Sequence, residues 1–280
     1  MNPSSVPGDA TAKGAGGTGG TGGTQWLLPD WPDLPDSVGV LCTTRRGGVS
    51  PAPYDDGQGK GGLNLGTHVG DAAKCVERNR DILRAELPAE PVWLAQVHGT
   101  RVFDAGTAHG DAPPPIADAA FTRDRGVVCA VLTADCLPVL LCDIEGRVVA
   151  AVHAGWRGLA DGVLECTVES MREAGAGELM AWLGAAIGPN RFEVGQDVLD
   201  AFLRRPGADE ALVRSAFAPH GLRPGKYFAD LYALARLALG AVGVRRVWGG
   251  DFCTVSNSGR FYSYRRDGVT GRQASLIWLK

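Results

Sequence analysis

Methionine, histidine and clustered cysteine are all scarce in this 280-residue chain, which has three Met, five His and seven Cys. The cysteines, Cys42, Cys75, Cys129, Cys136, Cys142, Cys166 and Cys253, are odd in number, widely scattered and free of any CxxC pair. Disulfide frameworks and zinc fingers both use closer, paired spacing, so reduced thiols are expected. A basic excess is also missing: the formal net charge is −3. That balance cannot neutralise a phosphate backbone and argues against nucleic acid as a partner. No apolar run approaches the roughly 20 residues that span a bilayer, and no charged start leads into an apolar h-region. The expectation is a cytoplasmic protein without a membrane partner.

What is there suits a globular chain, with 45% apolar residues to bury a substantial core. Residues 1–24 are the exception, being nearly all Gly, Thr, Ser, Ala and Pro, and read as an extension too poor in apolar surface to fold. The expected organisation is this tail followed by one catalytic domain over 25–280. Apolar spacing predicts helices within Asp71–Leu87, after Gly158 as far as Gly175, and in "GQDVLDAFLRR" and "FADLYALARLALGAVG". Strand character marks "VGVLCTT" ahead of a Gly-Gly turn, "PVWLAQVHGTRVFDA", "MAWLGAAIG", "RRVWGG", "RFYSYRRDG" and "ASLIWLK", the last two joined by a turn containing Asp-Gly. Strands and helices mix without regular alternation, so the expected class is α+β with mixed sheets and flanking helices.

The middle of the chain is the most informative. "GVVCAVLTADCLPVLLCD" and "RVVAAVHAGWRG" flank a short polar turn and predict a buried hairpin. If Ile144 and Glu145 form a two-residue loop, Asp143 faces Gly146 and Cys136 faces His153 on the same side of the sheet. Another loop length would shift that register, and Pro138 removes one ladder donor near Cys136.

Three segments end in a potential metal ligand: "WLAQVHG" in His98, "LTADC" in Cys136 and "AAVH" in His153. Two imidazoles and a thiolate suit Zn²⁺ and leave a fourth position open for water or substrate. The same set occurs in blue-copper sites, usually with a weak axial Met, and no methionine neighbours these residues. Taken singly, each histidine serves a hydrogen-bonded structural role as readily as a ligand role. A hydrolase reading also stands, with His153 activating Cys136 as a thiolate nucleophile and Asp135 or backbone N–H groups assisting. The zinc-deaminase H-x-E and P-C-x-x-C signature is absent.

Arg45 beside a Gly-Gly turn and Arg157 beside a helix start are candidate oxyanion ligands, as are Arg265 and Arg266; surface contacts are the bland alternative for each. Trp156, Tyr262 and Tyr264 offer faces for a planar base or serve packing. His68 reads as a hydrogen-bonding loop residue, and His109 and His220 as solvent-exposed.

The ordered motifs "TTRRGGVS", "LNLGTHVGD", "ERNR", "QVHGTRV", "TADCLPVLL", "AAVHAGWRGLADG", "IGPNRFEVGQDV" and "CTVSNSGRFYSYRRDGVTGRQASLIWL" closely resemble the YfiH-like family. That resemblance runs from about Val38 to Lys280. It implies a YfiH-like α+β fold and a zinc site formed by His98, Cys136 and His153. It further implies phosphorolysis of adenosine, inosine and 5′-methylthioadenosine to a base and a pentose 1-phosphate, with adenosine deamination as a further activity. Purine nucleosides and phosphate are then the expected partners, with Arg45 and Arg157 to hold the phosphate and Arg265 as a further substrate ligand. The family's older polyphenol-oxidase and laccase labels imply copper and phenolic substrates instead.

Overall fold

The structure, a computed structural model, describes residues 26–110 and 112–280. The Gly/Thr-rich segment 1–24 lies outside the described residues. In the first half, strands β1 (Val38–Cys42) and β2 (Arg46–Ser50) precede helix α1 (Ala73–Arg84), followed by β3 (Pro91–Val92), β4 (Val102–Asp104) and β5 (Ala119–Thr122). The centre holds β6 (Val128–Thr133), β7 (Leu137–Asp143), β8 (Val149–Ala154), α2 (Trp156–Asp161), α3 (Val163–Glu173) and β9 (Leu179–Leu183). Then come β10 (Glu193–Gly195), α4 (Gln196–Leu203), α5 (Glu210–Ser215), β11 (Phe217–Pro219), β12 (Lys226–Ala229), α6 (Leu231–Ala241), β13 (Arg246–Gly249), α7 (Tyr264–Asp267) and β14 (Gln273–Leu279).

Among the described residues three sheets form, in the orders β1-β14-β6-β3, β13-β9-β7-β8-β5-β4 and β10-β12-β11. The first two mix parallel and antiparallel pairs, in keeping with the expected α+β class. The central strands are continuously apolar because both of their faces are buried, and a period of two sends alternate residues into different layers. Val139, Leu141, Ala150 and Val152 pack with α3, α4 and α6 residues such as Val168, Leu199 and Leu234. Leu140, Cys142, Val149 and Ala151 instead meet Cys129, Val131, Ile277 and Leu279 of the four-stranded sheet. That sheet's other face carries Val128, Ala130 and Leu276 against Leu83 of α1. The order of layers is therefore helices, six-stranded sheet, four-stranded sheet, helix.

Several local expectations change. Gly47 and Gly48 lie within β2 rather than in a turn, and the "PVWLAQVHGTRVFDA" segment keeps only short strands at its two ends. The helix after Gly158 breaks at Gly162, whose φ of +100° separates α2 from α3. The stretch "RFYSYRRDG" is not a strand. Ser263 accepts from the Arg266 N–H and Asp135 Oδ2 accepts from the Arg265 N–H at 2.6 Å, which turns it into α7. His220 is not free in solvent, since it stacks on Phe228 with ring centroids 5.0 Å apart.

The hairpin forms, but in another register: Pro138 faces His153 and Leu137 faces Ala154. Asp143 Oδ1 accepts from the N–H groups of Arg147 at 2.6 Å and Val148 at 3.0 Å. That carboxylate organises a longer turn than the two-residue loop expected. The resulting slip of two residues preserves side-chain parity, so Cys136 and His153 still share the face that looks towards the four-stranded sheet. Pro138 costs no ladder bond to β8, because its carbonyl accepts from the Gly184 N–H on the opposite side.

Candidate metal centre and cleft

The ligand atoms of His98, Cys136 and His153 all lie within 4.8 Å of one another. Cys136 Sγ is 3.6 Å from His98 Nε2, and the two imidazole rings meet edge to face with centroids 4.7 Å apart. His153 is buried, Cys136 half-buried and His98 exposed, which closes the cluster on one side and opens it on the other.

Each residue is placed by a different device. His153 is fixed by β8, where its N–H donates to the Asp118 carbonyl at 2.7 Å. Cys136 follows Asp135, which holds a φ of +96° because its carboxylate accepts from Thr254 Oγ1 at 2.5 Å and from the Arg265 N–H. His98 also has a positive φ, +62°, a conformation that costs a non-glycine residue about 1–3 kcal/mol and needs support. Asp118 provides it.

Asp118 was not singled out from sequence, yet it accepts four hydrogen bonds here. Oδ1 takes the His98 N–H and His153 Nδ1, each at 2.8 Å, while Oδ2 takes the Gly99 N–H at 2.7 Å and the Val97 N–H at 3.2 Å. Burial disfavours its charge, but the hydrogen bond from His153, those from the backbone and the nearby imidazole charge hold it below the usual carboxylate range. With Nδ1 held by Asp118, His153 presents Nε2 to the cluster, the second-shell arrangement that metal-ligating histidines use.

Burial alone would raise the Cys136 thiol. The positive charge of His153 and hydrogen bonds from both imidazoles reverse this and draw it well down. For His153 burial opposes the charge, and Cys136 together with Asp118 favours it. A thiolate-forming cysteine beside two oriented imidazoles fits Zn²⁺ or copper chemically, and the three-ligand set leaves room for a further ligand.

The glycines of "HAGWRG" serve this packing. A Cβ on Gly155 would lie 2.7 Å from His98 Cδ2 and 3.2 Å from Cys136 Sγ, and one on Gly158 would lie 2.7 Å from the Gly99 carbonyl oxygen. Gly155 does precede a helix, α2, of only six residues, but the space above it is filled by the ligands themselves rather than open to an anion.

The cluster opens into a cleft of about 650 Å³, lined also by Leu94, Leu132, Thr133, Tyr264, His68 and Arg272. Tyr264, on α7, is 61% exposed and forms part of the wall, whereas Tyr262 is fully buried and Trp156 packs against the helical core. The four arginines singled out from sequence do not line this cleft, and Arg266 donates to the Thr254 carbonyl at 2.7 Å and pairs with Asp267. Arg45 is buried, donates to the carbonyls of Asp55 and Ser258 at 3.0 Å each and pairs with the Asp55 carboxylate. Arg157 is exposed over the Trp156 ring, and Arg265 is exposed with Nη1 donating to the Glu193 carbonyl. Arg272, which sequence reasoning passed over, lines the cleft instead, together with His68, which was read from sequence only as a hydrogen-bonding loop residue. Their closeness depends on long-range pairing that no local pattern announces.

Layered mixed sheets with an open His-Cys-His constellation at the mouth of a cleft define an α+β protein with a candidate metal centre. The chain belongs to the family described as multi-copper polyphenol oxidoreductase laccase, whose model matches residues 39–280. It is 52% identical over 255 residues to a purine nucleoside phosphorylase of Pseudomonas aeruginosa, covering 91% of this chain and 98% of that protein. Against the purine nucleoside phosphorylase YfiH of Escherichia coli it is 49% identical over 256 residues, covering 90% and 98% respectively. Among solved structures, a Neisseria meningitidis protein of family DUF152 matches with a TM-score of 0.81 at 50% identity, covering 91% of this chain and 99% of that one. YlmD of Geobacillus stearothermophilus matches with a TM-score of 0.78 at 30% identity, covering 91% and 96%.

Proposed function

We propose that the protein is a zinc-dependent purine nucleoside phosphorylase acting on adenosine, inosine and 5′-methylthioadenosine, with adenosine deamination as a second activity. The observation that carries this reading is the convergence of His98, Cys136 and His153 on one wall of a cleft large enough for a nucleoside. The names of the Pseudomonas and Escherichia relatives support the substrate class.

His98, Cys136 and His153 would hold the metal, and a bound zinc ion would supply a Lewis acid to polarise a coordinated oxygen. Asp118 keeps His153 in the ligating tautomer and keeps the His98 turn closed. Leu94, Leu132 and Tyr264 offer apolar faces to a purine, while phosphate attacks the anomeric carbon as the glycosidic C–N bond breaks and the base leaves. Positioning two reactants in one cleft is the main contribution such a site makes. Arg45, Arg157 and Arg265, expected as phosphate and substrate ligands, would have to act from outside the walls described above.

Incubation of zinc-loaded protein with inosine should release hypoxanthine only when phosphate is present. Release without phosphate identifies a hydrolase instead, and inactivity on every purine nucleoside defeats the reading. A copper phenol oxidase is favoured by the family's description, but one three-ligand group is present among the described residues, short of a multicopper cluster. Metal analysis with an oxygen-dependent phenol assay separates the two. The drawn-down thiol of Cys136 supports a cysteine hydrolase; trapping a covalent intermediate at Cys136 in metal-free protein would favour it.

A further inference from the structure

We propose that Arg272, with the hydroxyls of Thr67 and Thr133 and the ring of His68, forms an oxyanion subsite in the same cleft, and that inorganic phosphate is its ligand. The assignment as the co-substrate site rests on the phosphorylase reading; the binding of phosphate there does not.

Arg272 is held in place from its backbone. Its N–H donates to Asn64 Oδ1 at 2.9 Å, and its carbonyl accepts from the Leu65 N–H at 3.1 Å. The aliphatic stem lies over Gly66, where an added Cβ would come within 2.8 Å of Arg272 Cγ. These contacts bring the loop that carries Thr67 and His68 beside Arg272. Thr133, opposite Gln273 in the β6–β14 pair, lines the same cleft as Arg272, Thr67 and His68.

The guanidinium is half-buried and only partly spent. Nη1 donates to the carbonyls of Thr270 at 3.1 Å and Gly271 at 3.0 Å. Among the described residues the Nε–Nη2 edge has no acceptor and no carboxylate stands within ion-pair distance of the charge, the attraction of Cys136 and Asp135 reaching it from farther off. That edge is the one that grips a carboxylate or phosphate bidentately. Arg45, by contrast, has Asp55.

Thr133 adds an independent sign. It is 2% exposed, lines the cleft, and its hydroxyl has no hydrogen-bond partner among the described residues. A buried hydroxyl left unpaired is costly, and a ligand in the cleft would satisfy it. Electrostatics agree: burial, then the charges of Arg272 and Arg80, hold the His68 imidazole below its ordinary value. An anion entering this region would relieve that repulsion.

The experiment is equilibrium titration of the zinc-loaded protein with inorganic phosphate, by calorimetry or phosphorus NMR, on the parent and on Arg272→Met, Arg272→Lys and Thr133→Val. Arg272→Met should weaken phosphate binding roughly 10- to 100-fold, the worth of charge-assisted hydrogen bonds, with zinc content unchanged. Arg272→Lys should restore part of the loss, since it keeps the charge but not the fork. Thr133→Val removes only the unpaired hydroxyl, so it should fold as well as the parent and bind phosphate more weakly. In turnover, the phosphate KM should rise in all three variants while the inosine KM stays put. Unchanged phosphate affinity in folded Arg272→Met, or no phosphate binding by the parent, overturns the subsite. Phosphate binding that depends on Arg272 in a parent that phosphorolyses no nucleoside upholds the subsite and defeats the phosphorylase reading.

Discussion

Replacing Asp118 with asparagine separates a carboxylate that assembles the metal centre from one that merely fills space. Each of its oxygens accepts two hydrogen bonds: Oδ1 from His98 N–H and His153 Nδ1, Oδ2 from Gly99 N–H and Val97 N–H. An amide has one oxygen and one NH₂, so either orientation sets a donor against two donors. With NH₂ in place of Oδ1, the His153 ring regains an acceptable contact only by shifting its proton to Nε2, the nitrogen needed for ligation. With NH₂ in place of Oδ2, the turn from Val97 to Gly99 loses its anchor and His98 its left-handed backbone.

Loss of an outer-shell partner of this kind lowers metal affinity about 10- to 100-fold, or about 1.4–2.8 kcal/mol at 1.4 kcal/mol per decade. The effect on the metal-free fold should be no larger than about 1–3 kcal/mol, the cost of one buried group left unsatisfied. Val97 and His98 are exposed, so water can take over their N–H groups. The assay is competition for zinc against a chromogenic chelator, paired with thermal unfolding of the chelated protein. Parental zinc affinity in a folded Asp118→Asn protein would refute the argument.

Gly155→Ala should abolish tight zinc binding with little change in the Tm of chelated protein, because the new methyl would lie 2.7 Å from His98 Cδ2; a parental zinc affinity counts against the close approach. Alkylation with iodoacetamide, read by peptide mass spectrometry, should modify Cys136 in chelated protein and spare it when zinc is bound. Cys42, pushed up to about 12 by burial, and Cys129 and Cys142, raised for the same reason, should stay unmodified until the chain is denatured. Equal labelling of Cys136 with and without zinc removes it from the ligand set. Leu140→Ala opens a cavity between the two large sheets, where Leu140 is fully buried, and should cost about 2–5 kcal/mol in denaturant unfolding; a cost within error of zero would mean the sheets do not pack there.

The strands that carry Cys136 and His153 were legible because both of their faces are buried, leaving the apolar runs Val128–Thr133, Leu137–Asp143 and Val149–Ala154 uninterrupted. Their register was not, because Asp143 sets the turn with its side chain, and no two-residue loop signature encodes that. Cys136 lost its place opposite His153 to Pro138, and the two still share a face only because a slip of two preserves parity. Asp118 had no such protection. It lies 35 positions from His153, just ahead of the short strand β5 in a stretch with no distinctive pattern, and acquires its partners only because β5 pairs with β8.

The failure at "RFYSYRRDG" has the same origin and a consequence for the cleft. The segment reads as a strand joined to the last one across a turn containing Asp-Gly, and a strand would have buried one face of it. Asp135 instead draws the Arg265 N–H to its carboxylate, so the chain coils into α7 and Tyr264 reaches the cleft wall. That same Asp135 holds the positive φ that delivers Cys136 to the histidines. One carboxylate thus couples the position of the thiol to the shape of the wall facing it. A local sequence pattern cannot report that coupling, because its two ends lie 130 residues apart.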